Sequence, residues 1–167
     1  DAWRGDVPAM EGGGHRRAAF EVLRVRHGVP AWGAELVEGL IPAEVGQWFV
    51  DRSVSFTKGC FTGQELVARI DSRGGNVARR LVGLRSVAAD SRPTSEGGAV
   101  GAELTEDGAA VGSVTSLVQD PAAGWIGLGF LARRVEVPAA LAVVVDTREI
   151  QLEAVTLPSA TAPSGPG

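Results

Sequence analysis

Cys60 is the only cysteine in the chain and Lys58, two positions before it, is the only lysine; the other 15 of the 16 basic residues are arginine. Abundant Ala, Gly and Val fit a GC-rich coding background that turns dispensable lysines into arginines. An ammonium kept at Lys58 is then either required there or left by chance. Thr62-Gly63-Gln64-Glu65, just before Leu66, Val67 and Ile70, has the spacing of a capping box, in which the threonine hydroxyl and the glutamate carboxylate satisfy amides at a helix start. The spacing predicts a helix from Gly63 to about Gly74-Gly75. Cys60 would sit just ahead of the positive end of that helix, and Lys58 would add a full charge. Both favour a thiolate and could bring the thiol from a pKa of about 8.5 towards neutrality, giving a nucleophile or a soft-metal ligand. Gly59 and Gly63 leave room for a ligand to approach the backbone. A lone cysteine is as often a small apolar residue buried in a core, and spacing alone does not choose.

The rest of the chain must position that segment. Its 167 residues suffice for one ordinary domain or two small ones, and 44% hydrophobic with 22% charged residues is a folded composition. A net charge of -4 argues against a protein that wraps nucleic acid, so no DNA partner is expected. No apolar run approaches the roughly 20 residues that cross a bilayer, and no signal peptide is evident, so neither a membrane span nor export is expected. One cysteine and two histidines cannot complete a four-ligand zinc or iron–sulfur site without a partner. Asp1 in place of methionine predicts a fragment or a processed product.

Residues 1–14 lack periodicity and read as a mobile leader. From His15 to His27, Phe20, Leu23 and His27 recur at helical spacing, with Gly28 and Pro30 as the stop. Residues 32–50, interrupted by Gly33, Gly39, Pro42 and Gly46, read as a winding loop with at most one short helical turn. From Val77 onward the period becomes two. Apolar runs at 81–84, 99–104, 110–117, 125–131, 141–145 and 150–155 alternate with turns such as Glu106-Asp107-Gly108 and Asp120-Pro121. Such strands without intervening helices predict a small antiparallel barrel or sandwich. The Ser, Pro, Ala and Gly tail reads as disordered, and its boundary falls at residues 157–167.

The run Lys58-Gly59-Cys60-Phe61-Thr62-Gly63-Gln64-Glu65 closely resembles the K-G-C-[FY]-T-G-Q-E signature of the YgfZ family, folate-dependent proteins that assist iron–sulfur cluster assembly or repair. Upstream, Phe20 to Pro30, Trp32-Gly33-Ala34-Glu35 and Pro42-Ala43-Glu44 resemble segments shared with the glycine-cleavage T-protein. Downstream, Ala68-Arg69, Arg79-Arg80-Leu81 and the strand region also fit. The resemblance covers about residues 16–156 and implies an α+β fold: the remnant of a ferredoxin-like folate-binding domain over residues 15–76, then a small antiparallel β-barrel over 77–156. It implies tetrahydrofolate or a derivative as cofactor, iron–sulfur client or assembly proteins as partners, and a need for an absent N-terminal folate-binding domain. A cytoplasmic bacterial location is the simplest expectation for a lone thiol.

The resemblance assigns Cys60 and Lys58 to catalysis, and Phe20, Arg24, Gly59, Thr62, Gly63, Gln64 and Glu65 to folate. Phe20 takes the place of an aromatic packed near the ligand. Arg24 matches a folate-contacting arginine, although a solvated helix arginine is the plainer reading. The family run R-I-E-x-G is here Arg24-Val25-Arg26-His27-Gly28, so a carboxylate has become Arg26. His27 reads as a partner of the helix C-terminal dipole, and Glu44 as a helix-start carboxylate more than a cavity residue. Arg69 has the spacing of an i,i+4 pair with Glu65. Trp32, Trp48 and Trp125 read as packing residues. An aminomethyltransferase of the T-protein type, which carries K-x-F-x-G in place of the cysteine segment, is the alternative activity. An inactive barrel-bearing interaction fragment is the alternative without catalysis.

Overall fold

The computed structural model describes residues 13–55, 59, 65, 76–87, 99–145 and 147–157. Among the described residues the helices α1 (Gly13–Arg26), α2 (Pro42–Val45) and α3 (Gln47–Ser53) precede the strands β1 (Arg79–Ser86), β2 (Glu103–Glu106), β3 (Ala109–Asp120), β4 (Gly124–Ala132), β5 (Ala139–Val145) and β6 (Arg148–Val155). The strands close a barrel in the order β1-β4-β3-β2-β5-β6, with every pair antiparallel. This is the expected α+β arrangement with a barrel. Before β1, α1, α2 and α3 pack on its outside.

Alternation sets which way each strand faces. In β5, Ala139, Leu141, Val143 and Val145 are buried, as are Ile150, Leu152 and Ala154 of β6. Their side chains meet Val82, Leu84, Leu104, Val114, Leu117 and Leu131 in one aliphatic cluster. Gly129 is needed inside: a Cβ there would stand 3.1 Å from Leu84 Cδ1 and 3.2 Å from Leu104 Cδ1. Aliphatic side chains from all six strands thus fill the interior.

β4 is buried on both faces because the helices cover its outer one. Ile126, Leu128 and Phe130 point outward and, with Leu81, pack against Val25 of α1 and Val45 of α2. Leu157 joins this layer, two residues past β6, where a disordered tail was expected to begin. Gly13 and Gly14 likewise belong to α1 and not to a leader.

α1 ends as its sequence predicts. Gly28 adopts φ 66°, its N–H donates to Val25 O and the Val29 N–H to Arg24 O, which is a Schellman cap. A Cβ on Gly28 would come within 2.5 Å of Leu157 Cδ2, so the cap also seats Leu157. The expected strand at 99–104 is shorter and later than predicted. Ala99 is buried but lies in a turn, where the Ala102 N–H donates to Ala99 O.

Candidate functional site

Polar chemistry among the described residues concentrates where α1 crosses the outside of β3. The ladder between β3 and β4 shifts register between Val114 and Ser116, so Thr115 is an extra residue. The bulge turns Thr115 and Ser116, which strict alternation would place on opposite faces, toward one carboxylate. Thr115 Oγ1 donates to Glu35 Oε1 over 2.8 Å and Ser116 Oγ over 2.6 Å. The Ala31 N–H donates to Glu35 Oε2 at 2.9 Å. Glu35 is completely buried and Arg24 is 7% exposed.

Arg24 closes the network. Its Nη1 reaches Glu35 Oε2 and Val29 O, each at 3.2 Å, its Nη2 donates to Ser116 Oγ at 2.8 Å, and its Nε donates to Glu21 Oε2 at 2.8 Å. A buried carboxylate and a buried guanidinium are tolerated together because each satisfies the other and the remaining lone pairs and protons have partners. The geometry commits Arg24 to holding α1, the 31–36 loop and β3 together. It is neither a solvated helix arginine nor a guanidinium with nitrogens free for a ligand.

A second ion pair lies two residues along α1. Arg26 Nε donates to Asp120 Oδ2 at 2.6 Å, while Asp120 Oδ1 accepts from the Ala122 and Ala123 amides at 2.8 and 3.2 Å. Burial alone pushes the Asp120 carboxyl up, but the Ala122 amide, Arg26 and the Ala123 amide outweigh it and hold the group below its ordinary value. The arginine that departs from the family run thus has its own carboxylate at the end of β3. Glu44, in the first turn of α2, receives Arg79 Nε and Nη2, each at 3.2 Å, and the Arg79 guanidinium also lies 4.5 Å over the Phe130 ring. That carboxylate fastens α2 to β1.

Phe20 and Leu23 share the outer face of α1, and Phe20 is 62% exposed. Trp32 is 83% exposed, which corrects its reading as a packing residue. Trp125 does pack in the barrel, and Trp48 stands edge-on to Phe49 with a ring separation of 5.7 Å. His27 is exposed where α1 ends. Gly59 is exposed with open space at its Cβ position, and Glu65 is helical and exposed. Lys58, Cys60, Thr62, Gly63, Gln64 and Arg69 lie outside the described residues. Among the described residues no group of three His, Cys, Asp or Glu side chains is placed to hold a metal, and no helix is long and apolar enough to cross a membrane.

In the sequence Glu35 figures only as part of a resembling segment and Asp120 only as a turn residue, and Thr115 and Ser116 are not singled out. The adjoining Thr115 and Ser116, two polar residues where a half-buried strand should alternate, are the signal that a bulge was present.

No family model matches the chain. It is 36% identical over 117 residues to a chloroplastic protein of Arabidopsis thaliana provisionally named a transferase, covering 70% of this chain and 24% of that protein. It is 32% identical over 99 residues to the tRNA-modifying protein YgfZ of Aliivibrio fischeri, covering 59% of this chain and 30% of that one. The chain therefore spans about a quarter of the length of these relatives. The glycine cleavage system aminomethyltransferase T from Bartonella henselae superposes with a TM-score of 0.62 over 84% of this chain and 37% of its own, at 19% identity, which is a likeness of fold. Partial homology to a YgfZ protein, joined to the fold of the T-protein, makes this a YgfZ/T-protein-like chain.

Proposed function

We propose that this chain is part of a folate-binding protein that assists iron–sulfur cluster assembly or repair, with Cys60 as its reactive thiol. The observation that carries the reading is the unbroken run Lys58-Gly59-Cys60-Phe61-Thr62-Gly63-Gln64-Glu65 in a chain partly homologous to YgfZ. Two structural features support it. The barrel interior is filled, which directs binding to the outer face, and there Phe20 and Trp32 present uncovered aromatic surface of the kind a pteridine ring stacks on. Arg24 contributes by fixing α1, which carries Phe20, and not by direct contact with folate. The remaining length of a relative-sized protein would complete the cavity.

One thiolate cannot hold a cluster alone, so a client or assembly protein supplies the other ligands. Transient iron ligation, a mixed disulfide and a one-carbon adduct are the three chemistries open to Cys60. A reduced, cytoplasmic setting suits all of them. The test uses the longest natural form of the protein. Tetrahydrofolate should bind saturably, Phe20→Ala should weaken binding about fivefold, and Cys60→Ser should keep folate binding but fail to restore an iron–sulfur enzyme in cells lacking the protein. Full restoration by Cys60→Ser would overturn the role of the thiol.

The fold shared with an aminomethyltransferase favours a second reading, transfer of a one-carbon unit from an aminomethyl-lipoyl carrier to tetrahydrofolate. Cys60 and Thr62-Gly63-Gln64-Glu65 count against it. Ammonia release from the loaded carrier protein would decide for the transferase.

A further inference from the structure

The arginines around the barrel differ in how their charge is neutralised. Arg24, Arg26, Arg79 and Arg85 each meet a carboxylate, namely Glu35, Asp120, Glu44 and Glu153. Arg80 is less exposed than Arg26, Arg79 or Arg85, yet no carboxylate pairs with it among the described residues. Its Nη2 donates to Val135 O, and its Nε is buried with no acceptor. A guanidinium drawn out of water without an anion is electrostatically incomplete.

Arg80 lines a cleft of about 240 Å³ at the end of the barrel where β1 begins and β4 and β6 finish, roofed by the junction of α2 and α3. Val45, Gly46 and Leu157 supply apolar and backbone walls, Arg133 adds a second cation and Thr156 a hydroxyl, and among the described residues no Asp or Glu lines the space. The volume is below the roughly 300–1,000 Å³ of sites for drug-sized molecules. We propose that this cleft binds a small anion bearing a carboxylate or phosphate group, held by Arg80. The planar fork of guanidinium donors matches either group, and neither Phe20 nor Trp32 lines the cleft. The inference stands apart from the folate reading.

Side-chain Nε–H spectra of the arginines test it. The chain is titrated separately with inorganic phosphate and with malonate, and the Arg80 signal is identified by its loss in Arg80→Lys. The expected result is a saturable shift of the Arg80 signal with at least one anion, while Arg26 and Arg85, engaged by their own carboxylates, stay still. Binding in Arg80→Lys, read from backbone amides of the cleft, should be about tenfold weaker because the fork is lost. Should Arg80→Lys fail to fold, Arg133→Gln at the same cleft should weaken binding about threefold with an unchanged amide spectrum. Saturation by malonate alone assigns a carboxylate, by phosphate alone a phosphate, and either supports the site. An Arg80 signal that neither anion moves at about 20 mM, a range already far above millimolar affinity, overturns the proposal. So does a shift shared equally by all exposed arginines, which is ionic screening.

Discussion

The inside and the outside of the barrel are held by different forces. Inside, Leu104, Leu131 and the inward residues of β5 and β6 form an aliphatic cluster, with cohesion that depends on filled volume and little on direction. Outside, α1 rests partly on Val22 and Val25, but the seam is laced with Arg24, Glu35, Ser116, Arg26 and Asp120, whose interactions depend on orientation and protonation. The barrel is thus a scaffold tolerant of many apolar sequences. The seam selects one placement of α1, because a shift of a fraction of a turn would leave buried charges unpaired.

The largest test of that contrast is Glu35→Ala. Removing the carboxylate strands the Arg24 guanidinium and two hydroxyls in the seam, and urea unfolding should show a loss of about 3–5 kcal/mol. A loss below about 1 kcal/mol would mean that water reaches the seam and that apolar contacts alone hold α1. Leu104→Ala, inside the barrel, should cost about 2–5 kcal/mol through lost contact and a cavity, with no dependence on pH. Gly28→Ala should cost about 1–3 kcal/mol, because the residue would keep a left-handed φ and press on Leu157.

A smaller effect separates the regions by pH. The Asp120 carboxyl titrates lower in the folded chain than in the unfolded one, where its value is near 3.9. In that window the unfolded chain binds more protons, so the stabilisation is complete above about pH 4 and is lost as pH falls through the folded value. Asp120→Asn should flatten this acid limb in urea midpoints measured from about pH 2 to 6, whereas Leu104→Ala should leave its shape unchanged. The smallest effect is expected at the outer pair between Arg85 and Glu153, which are 59% and 31% exposed. Arg85→Gln should change stability by no more than about 0.5 kcal/mol.

The strands were legible because a two-residue period is local. Five of the expected runs lie within β1, β3, β4, β5 and β6, and Glu106-Asp107-Gly108 makes the predicted turn between β2 and β3, with Asp107 and Gly108 at positive φ. The error at 99–104 arose because burial of Ala99 comes from tertiary packing at a turn, and apolarity alone does not distinguish that from a strand. α3 was hidden for a related reason. Gly46, which reads as a loop residue, is the N-cap of α3, and its seven residues are too short for a helical period to stand out.

The role of Arg24 illustrates the remaining gap. Its partner Glu35 is 11 residues away and Ser116 is 92 away, separations at which no pattern in the chain connects them. What the amino-acid order determined unaided was the periodicity of the barrel strands, the glycine stop of α1 and the Lys58–Glu65 run that resembles a family signature, because each is written within a few consecutive residues. What only the tertiary structure decided was which charges meet: Arg24 turned inward to Glu35, Arg26 to Asp120, Arg79 to Glu44, and Arg80 to no carboxylate among the described residues. Coulombic pairing acts through space, and the path of the backbone sets which side chains come within its range.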